Sequence, residues 1–184
     1  MSADLTNPIF TNETAAREYL EASRWPDQVS CPHCGSLDGI TKLAGKTTRP
    51  GLFACSSCRG QFSVRVGTIY ERSHIPLHKW LLATHLLLSS KKGMSSHQLS
   101  RMLGITYKSA WFLSHRIRET LAPVEGTPPL GGEGKTVEVD ETYIGRKRGR
   151  ETKKAMHHKN AVVSLVERGG DVRSFKVERA NIHT

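Results

Sequence analysis

The chain has 184 residues, with 27 Lys plus Arg against 17 Asp plus Glu and a formal net charge of +10. Hydrophobic residues at 37% and charged residues at 24% permit a packed core and argue against wholesale disorder. No apolar stretch reaches the roughly 18 residues of a membrane helix, and MSADLTNPIF lacks the basic-then-apolar order of a secretory signal. The expectation is a soluble, intracellular, basic protein without a membrane partner.

The charge is uneven. Residues 67–122 hold eight basic and two acidic side chains, whereas residues 1–66 hold seven and six. A polyanion is therefore the partner to consider first for the middle of the chain, the alternative being charge that serves solubility alone.

In chain order, the first element is a helix over Asn12 to Ala22, capped by Thr11 or Asn12, with Ala15, Ala16, Tyr19 and Leu20 on one face and Trp25-Pro26 ending it. All four cysteines follow: Cys31-Pro32-His33-Cys34, twenty residues, then Cys55-Ser56-Ser57-Cys58. Two such pairs are the spacing of a zinc ribbon, in which four thiolates close a tetrahedral, structural site. Disulfides and a redox pair are the competing readings. Gly35 and Gly60 are expected to supply left-handed backbone after each knuckle, and His33 to lie exposed outside the filled shell. Short strands are expected at Gly39 to Leu43, Gly51 to Ala54 and Gln61 to Val66.

Ile75 to Ser90 reads as a helix, with Pro76 in its first turn, Leu77, Trp80, Leu81, Leu87 and Leu88 inward, and Gly93 as its stop. Ser95 and Gln98 are spaced as a capping box before a short helix with Leu99, Met102 and Leu103 inward. Gly104-Ile105 makes a turn, and Thr106 caps a third helix, Tyr107 to Leu121, with Ala110, Leu113, Ser114, Ile117 and Leu121 inward. Short helix, glycine turn and longer basic helix describe a helix-turn-helix. That motif would set Tyr107, Lys108 and Phe112 near base edges and Arg116 and Arg118 near phosphates. A plain three-helix bundle with a solvated basic face is the alternative. Trp80 and Trp111 are both expected in the core.

Ala122 to Lys135 has three prolines and four glycines and reads as a linker. Thr136 to Ile144 then reads as a strand with Glu138, Asp140 and Thr142 on one face, followed by a basic run that includes Arg146, Lys147 and Arg148. Ala161 to Glu167 and Val172 to Val177 flank Arg168-Gly169-Gly170-Asp171 as a hairpin. This order opens a ribonuclease-H-like sheet, unless the acidic strand is merely exposed.

The series CPHCG, FACSSCRGQFSVRVGTIYERSHIPLHKWLLATHLLL, SSHQLSRMLGITYKSAWFLSHRIRETL and VEVDETYIGRKR resembles the zinc-ribbon insertion-sequence transposases of the ISXO-like group, from about residue 10 onward. The resemblance implies a multidomain α+β chain. Its divisions are an N-terminal helix (1–26), a zinc ribbon (27–72), a helix-turn-helix DNA-binding domain (73–122), a linker (123–135) and the first strands of a ribonuclease-H-like α/β domain (136–184). It implies double-stranded DNA as partner, at terminal inverted repeats and at the target, with homo-oligomerisation on DNA and a location in the bacterial cytoplasm at the nucleoid. Arg146, Lys147 and Arg148 join the expected DNA contacts. Asp140 matches the first catalytic aspartate, a ligand for Mg2+ or Mn2+ in a two-cation phosphodiester mechanism, with Glu138 as a residue that could tune it. The later metal ligands of the family have no counterpart among Glu151, Glu167, Asp171 and Glu178. The expectation is a chain that binds DNA without transposing it, and a stand-alone regulator or transposition inhibitor is the alternative.

Overall fold

The computed structural model describes residues 4–121, 127–149 and 158–178, in two compact units, Met1–Ala122 and Pro123–Thr184. The first unit starts with a short 3-10 turn, Pro8–Phe10, and helix α1, Glu13–Arg24. Asn12 caps α1 by accepting the Thr14 and Ala15 amides at 2.8 and 3.2 Å. The helix runs two residues past Ala22, because the Trp25 amide still reaches the Glu21 carbonyl. Ala16 is buried, but Tyr19 is half-exposed, since the ribbon meets only the Ala16–Leu20 line of the helix.

Three short antiparallel strands make the ribbon: β1 (Ile40–Lys42), β2 (Phe53–Cys55) and β3 (Gln61–Phe62), in that order. Its core gathers Ala16, Trp25, Cys31, Phe53, Cys55, Phe62, Val64 and Leu77. Trp25 meets the rings of Phe53 and Phe62 edge-on at 5.5 and 5.9 Å, and those two rings stack at 5.6 Å. The third strand is shorter than the expected Gln61 to Val66. The Arg24 guanidinium donates to the Val64 and Val66 carbonyls at 2.8 and 2.6 Å. Those acceptors are thereby satisfied without a neighbouring strand, and the chain turns.

Helices α2 (Leu77–Ser89), α3 (Ser96–Leu103) and α4 (Tyr107–Glu119) complete the unit. Pro76 is the N-cap of α2 and so lies just before its first turn. A second core joins Trp80, Ala83, Leu86, Leu99, Leu103, Ala110, Leu113 and Ile117. Leu88, Met102 and Leu121, expected inward, are 60%, 50% and 61% exposed. The Trp80–Ala83–Leu86 line of α2 meets this core in place of Leu88. Helix α3 reaches it through Leu99 and Leu103 alone, and Leu121 falls beyond the last turn of α4. Ser95 accepts the Gln98 amide and Thr106 the Ser109 amide, both at 3.2 Å. Between α3 and α4, Gly104 takes φ 58°, the left-handed cap that a glycine adopts without strain.

Glu13 ties these parts together. Its carboxylate accepts from Arg65 Nη2 at 2.9 Å and lies 3.0 Å from His78 Nδ1, while Arg65 Nη1 donates to the Ser73 and Ile75 carbonyls. One acid thus links α1, the segment after β3 and the start of α2. Glu13→Ala is expected to lower stability by about 1–2 kcal/mol, the scale of charge-assisted hydrogen bonds at a half-buried site. A denaturant midpoint unchanged from the parent would show that the latch contributes nothing.

The second unit is an antiparallel sheet in the order β4 (Val137–Ile144), β5 (Asn160–Glu167), β6 (Val172–Val177). Asp140 lies opposite Ser164, and Ser164 opposite Ser174. Of the expected linker, residues 122–126 lie outside the described residues, and 127–135 are bound to this sheet. Glu167, 8% exposed, accepts from the Gly131 amide at 2.9 Å and pairs with Lys135 Nζ at 2.5 Å. The Lys135 hydrogen bond, followed by that of Gly131, holds the Glu167 carboxyl below its ordinary range. Arg173 donates to the Pro128 carbonyl. Proline and glycine content signals irregular backbone, but it does not report these side-chain ties. Among the described residues no helix is long and apolar enough to cross a membrane.

Candidate metal centre and basic helix

The ribbon brings Cys31, Cys34, Cys55 and Cys58 together, their sulfurs all within 4.8 Å of one another. Cys31 Sγ is 3.7 Å from Cys58 Sγ, and Cys34 Sγ is 3.7 Å from Cys55 Sγ. Four sulfurs at about 2.3 Å from one tetrahedral ion stand about 3.8 Å apart, so the set fits structural zinc and leaves no coordination position for substrate. All four cysteines are free of disulfides.

Backbone geometry builds each knuckle. The Gly35 amide donates to the Cys31 carbonyl and the Cys31 amide to the Ser36 carbonyl, both at 2.9 Å, with Gly35 at φ 73° as expected. The second knuckle departs from expectation: Arg59 takes the left-handed conformation at φ 58°, and Gly60 does not. Gly60 serves close approach, since a Cβ there would stand 3.1 Å from His33 Cδ2 and 3.2 Å from Cys58 Sγ. His33 is exposed, with Nε2 3.4 Å from the Gln61 carbonyl oxygen. Amides of Cys58 and then Ser57, with neighbouring thiols, pull the Cys55 thiol down to about 6. At Cys34 the Ser36 amide also pulls downward, but the Cys31, Cys58 and Cys55 thiols and burial push the group up to about 12. Crowded sulfurs cannot all ionise without a cation among them.

Helix α4 presents a mixed outer face. Ala110, Leu113, Ser114 and Ile117 are buried, while Tyr107, Trp111 and Phe112 are 48%, 48% and 49% exposed. Trp111 is therefore not a core residue. It lies opposite the Ala110–Leu113–Ile117 side, and only Trp80 is fully enclosed, with Nε1 donating to Ser73 Oγ at 3.0 Å. Lys108 and Arg118 are exposed on α4. Arg116 is half-buried, donates to the Glu71 carbonyl at 2.9 Å and lies over the Phe112 ring at 5.7 Å. Two ring pairs organise the face: His97 stacks on Tyr107 at 4.2 Å, and His115 lies against Trp111 at 4.3 Å. The i, i+4, i+8 spacing of Tyr107, Trp111 and His115 was the available signal for this stripe.

In the second unit Asp140 is exposed on β4, and its Oδ1 accepts the Glu141 amide at 2.9 Å. Glu138 is engaged by Arg168 at 2.7 Å. Arg146 and Arg148 are exposed, while Lys147 is half-buried with its Nζ 3.4 Å from the Glu178 carbonyl. Arg150, Lys153 and Lys154 lie outside the described residues. Among the described residues, the four cysteines form the one cluster of three or more ligating side chains. Asp140 and its described neighbours therefore do not fit a two-cation site.

Fold and site together define a metal-ribbon protein with an attached helical bundle. Residues 11–61 match the family described as "Transposase zinc-ribbon domain", of the IS1595 type. An "Uncharacterized protein in transposable element ISH50" of Halobacterium salinarum is 28% identical over 136 residues, covering 73% of this chain and 43% of that relative. The chain thus spans less than half of the relative's length. No solved structure matches. Over residues 11–61 the chain is thus similar to the zinc ribbon of insertion-sequence transposases, and over most of its length it is similar to a protein of a transposable element.

Proposed function

We propose that the chain binds double-stranded DNA at the terminal inverted repeats of its element, with α3 and α4 acting as a helix-turn-helix. The observation that carries this reading is the outer face of α4, where Tyr107 and Lys108 stand exposed at the start and Arg118 at the end, beyond a left-handed glycine turn. In such a motif the early residues of the second helix meet base edges and later cations meet phosphates. The zinc ribbon supports the helices, and Asp140, which matches the first catalytic aspartate of the family the sequence resembles, stands in no metal-holding cluster among the described residues.

If Lys108 and Arg118 each neutralise a phosphate, log affinity falls with log salt at a slope of about −1.8, roughly a 12-fold loss between 0.05 and 0.2 M salt. Fluorescence anisotropy on labelled duplexes that carry the element's ends measures it. A flat salt response, or no duplex binding at all, would overturn the reading.

A further inference from the structure

The outer face of α4 carries more apolar surface than phosphate binding requires. Tyr107, Trp111 and Phe112 each keep about half their surface exposed, while the core beneath is already closed by Ala110, Leu113 and Ile117. The aromatic groups are held in place: Tyr107 by His97, Trp111 by His115, and Phe112 under Arg116. Ordered rings lose little conformational freedom on binding, so the face is set for contact. A second copy of this chain is a poor occupant. Residues 67–122 hold eight basic and two acidic side chains, so pairing the face with itself would oppose like charges. A polyanion matches that charge.

Resting on the DNA-binding reading, the question becomes which base features this face recognises. Guanine is read chiefly by bidentate Arg or Lys. The first two turns of α4 contain no arginine and a single lysine, Lys108, and the first arginine of α4, Arg116, donates to the Glu71 carbonyl. The apolar feature of the major groove is the thymine 5-methyl group, to which apolar side chains make contact. We propose that Tyr107, Trp111 and Phe112 read thymine methyl groups, so that this face sets specificity for thymine-bearing steps.

The test begins with selection of duplexes from a random 20-base-pair pool by the zinc-loaded full chain. The best duplex is then compared with a copy in which deoxyuridine replaces thymidine, which removes only the methyl groups. The expected result is thymine enrichment in the selected pool and an affinity loss of about three- to fourfold for each contacted methyl. Trp111→Ala and Phe112→Ala should bring the thymine duplex toward the affinity of the uracil duplex. Zinc content and circular dichroism verify that these surface variants are folded. Equal affinity for the two duplexes overturns the proposal while DNA binding stands. Failure to bind any duplex removes the DNA-binding reading and this proposal with it. A dimer in light scattering that Trp111→Ala dissociates, together with uracil-insensitive binding, would assign the face to a second copy instead.

Discussion

Removing zinc from the ribbon is expected to unfold residues 27–66 cooperatively. Cys31 and Cys55 are each 2% exposed and sit in the same core as Trp25, Phe53 and Phe62. The three strands have three, three and two residues, too little backbone pairing to persist alone. Structural zinc supplies about 10–16 kcal/mol of apparent binding free energy in modules of this kind, which is also folding free energy. Chelation should therefore erase the near-ultraviolet signal of Trp25 and release one zinc per chain. Cys55→Ser, which takes away one ligand, should produce the same loss at ordinary zinc concentrations. An unchanged spectrum and melting profile after verified zinc loss would refute the structural role of the ion.

Trp80→Ala should be the most damaging single change in the helical core. Trp80 is fully buried, Tyr70 meets its ring edge-on at 5.5 Å, and its indole nitrogen has a partner in Ser73. Truncating a buried Trp to Ala costs about 3–5 kcal/mol, the lost transfer free energy plus the cavity. Trp111→Ala, on the outer face of the next-but-one helix, should cost less than about 1 kcal/mol. Denaturant titration of the two variants makes the comparison. Equal losses would mean that Trp111 is as enclosed as Trp80.

That contrast marks the limit of what the amino-acid sequence conveys. Cysteine spacing located the metal centre because two residues between thiolates fix their geometry locally. The Gly169-Gly170 turn located the hairpin for a similarly local reason. Helical spacing located α2, α3 and α4, yet it set Trp80 and Trp111 alike, since both are large and apolar. Which side of α4 is covered depends on Leu99 and Leu103 arriving from α3, a tertiary fact. The early end of β3 was equally hidden. It follows from Arg24, forty residues before Val64, reaching across to satisfy carbonyls that a strand would otherwise pair. Arg59 in place of Gly60 in the left-handed position shows that a glycine near a knuckle can serve proximity instead of rotation. The Asp140 strand was legible as a strand, with a register that aligns Asp140, Ser164 and Ser174 in one row.

Leu77 and Trp80 lie one turn apart on α2, but Leu77 belongs to the ribbon core and Trp80 to the helical core. The two modules therefore cannot be inherited or transplanted as separate cassettes. A cut at residue 72 would strip Leu77 from beneath Phe53 and Phe62 and leave an oily gap in the ribbon. It would also free the first turn of α2 from its anchor. Shuffling of such ribbons between mobile elements should carry α2 along, and swaps that break the helix should fail at the level of expression before any question of DNA recognition arises.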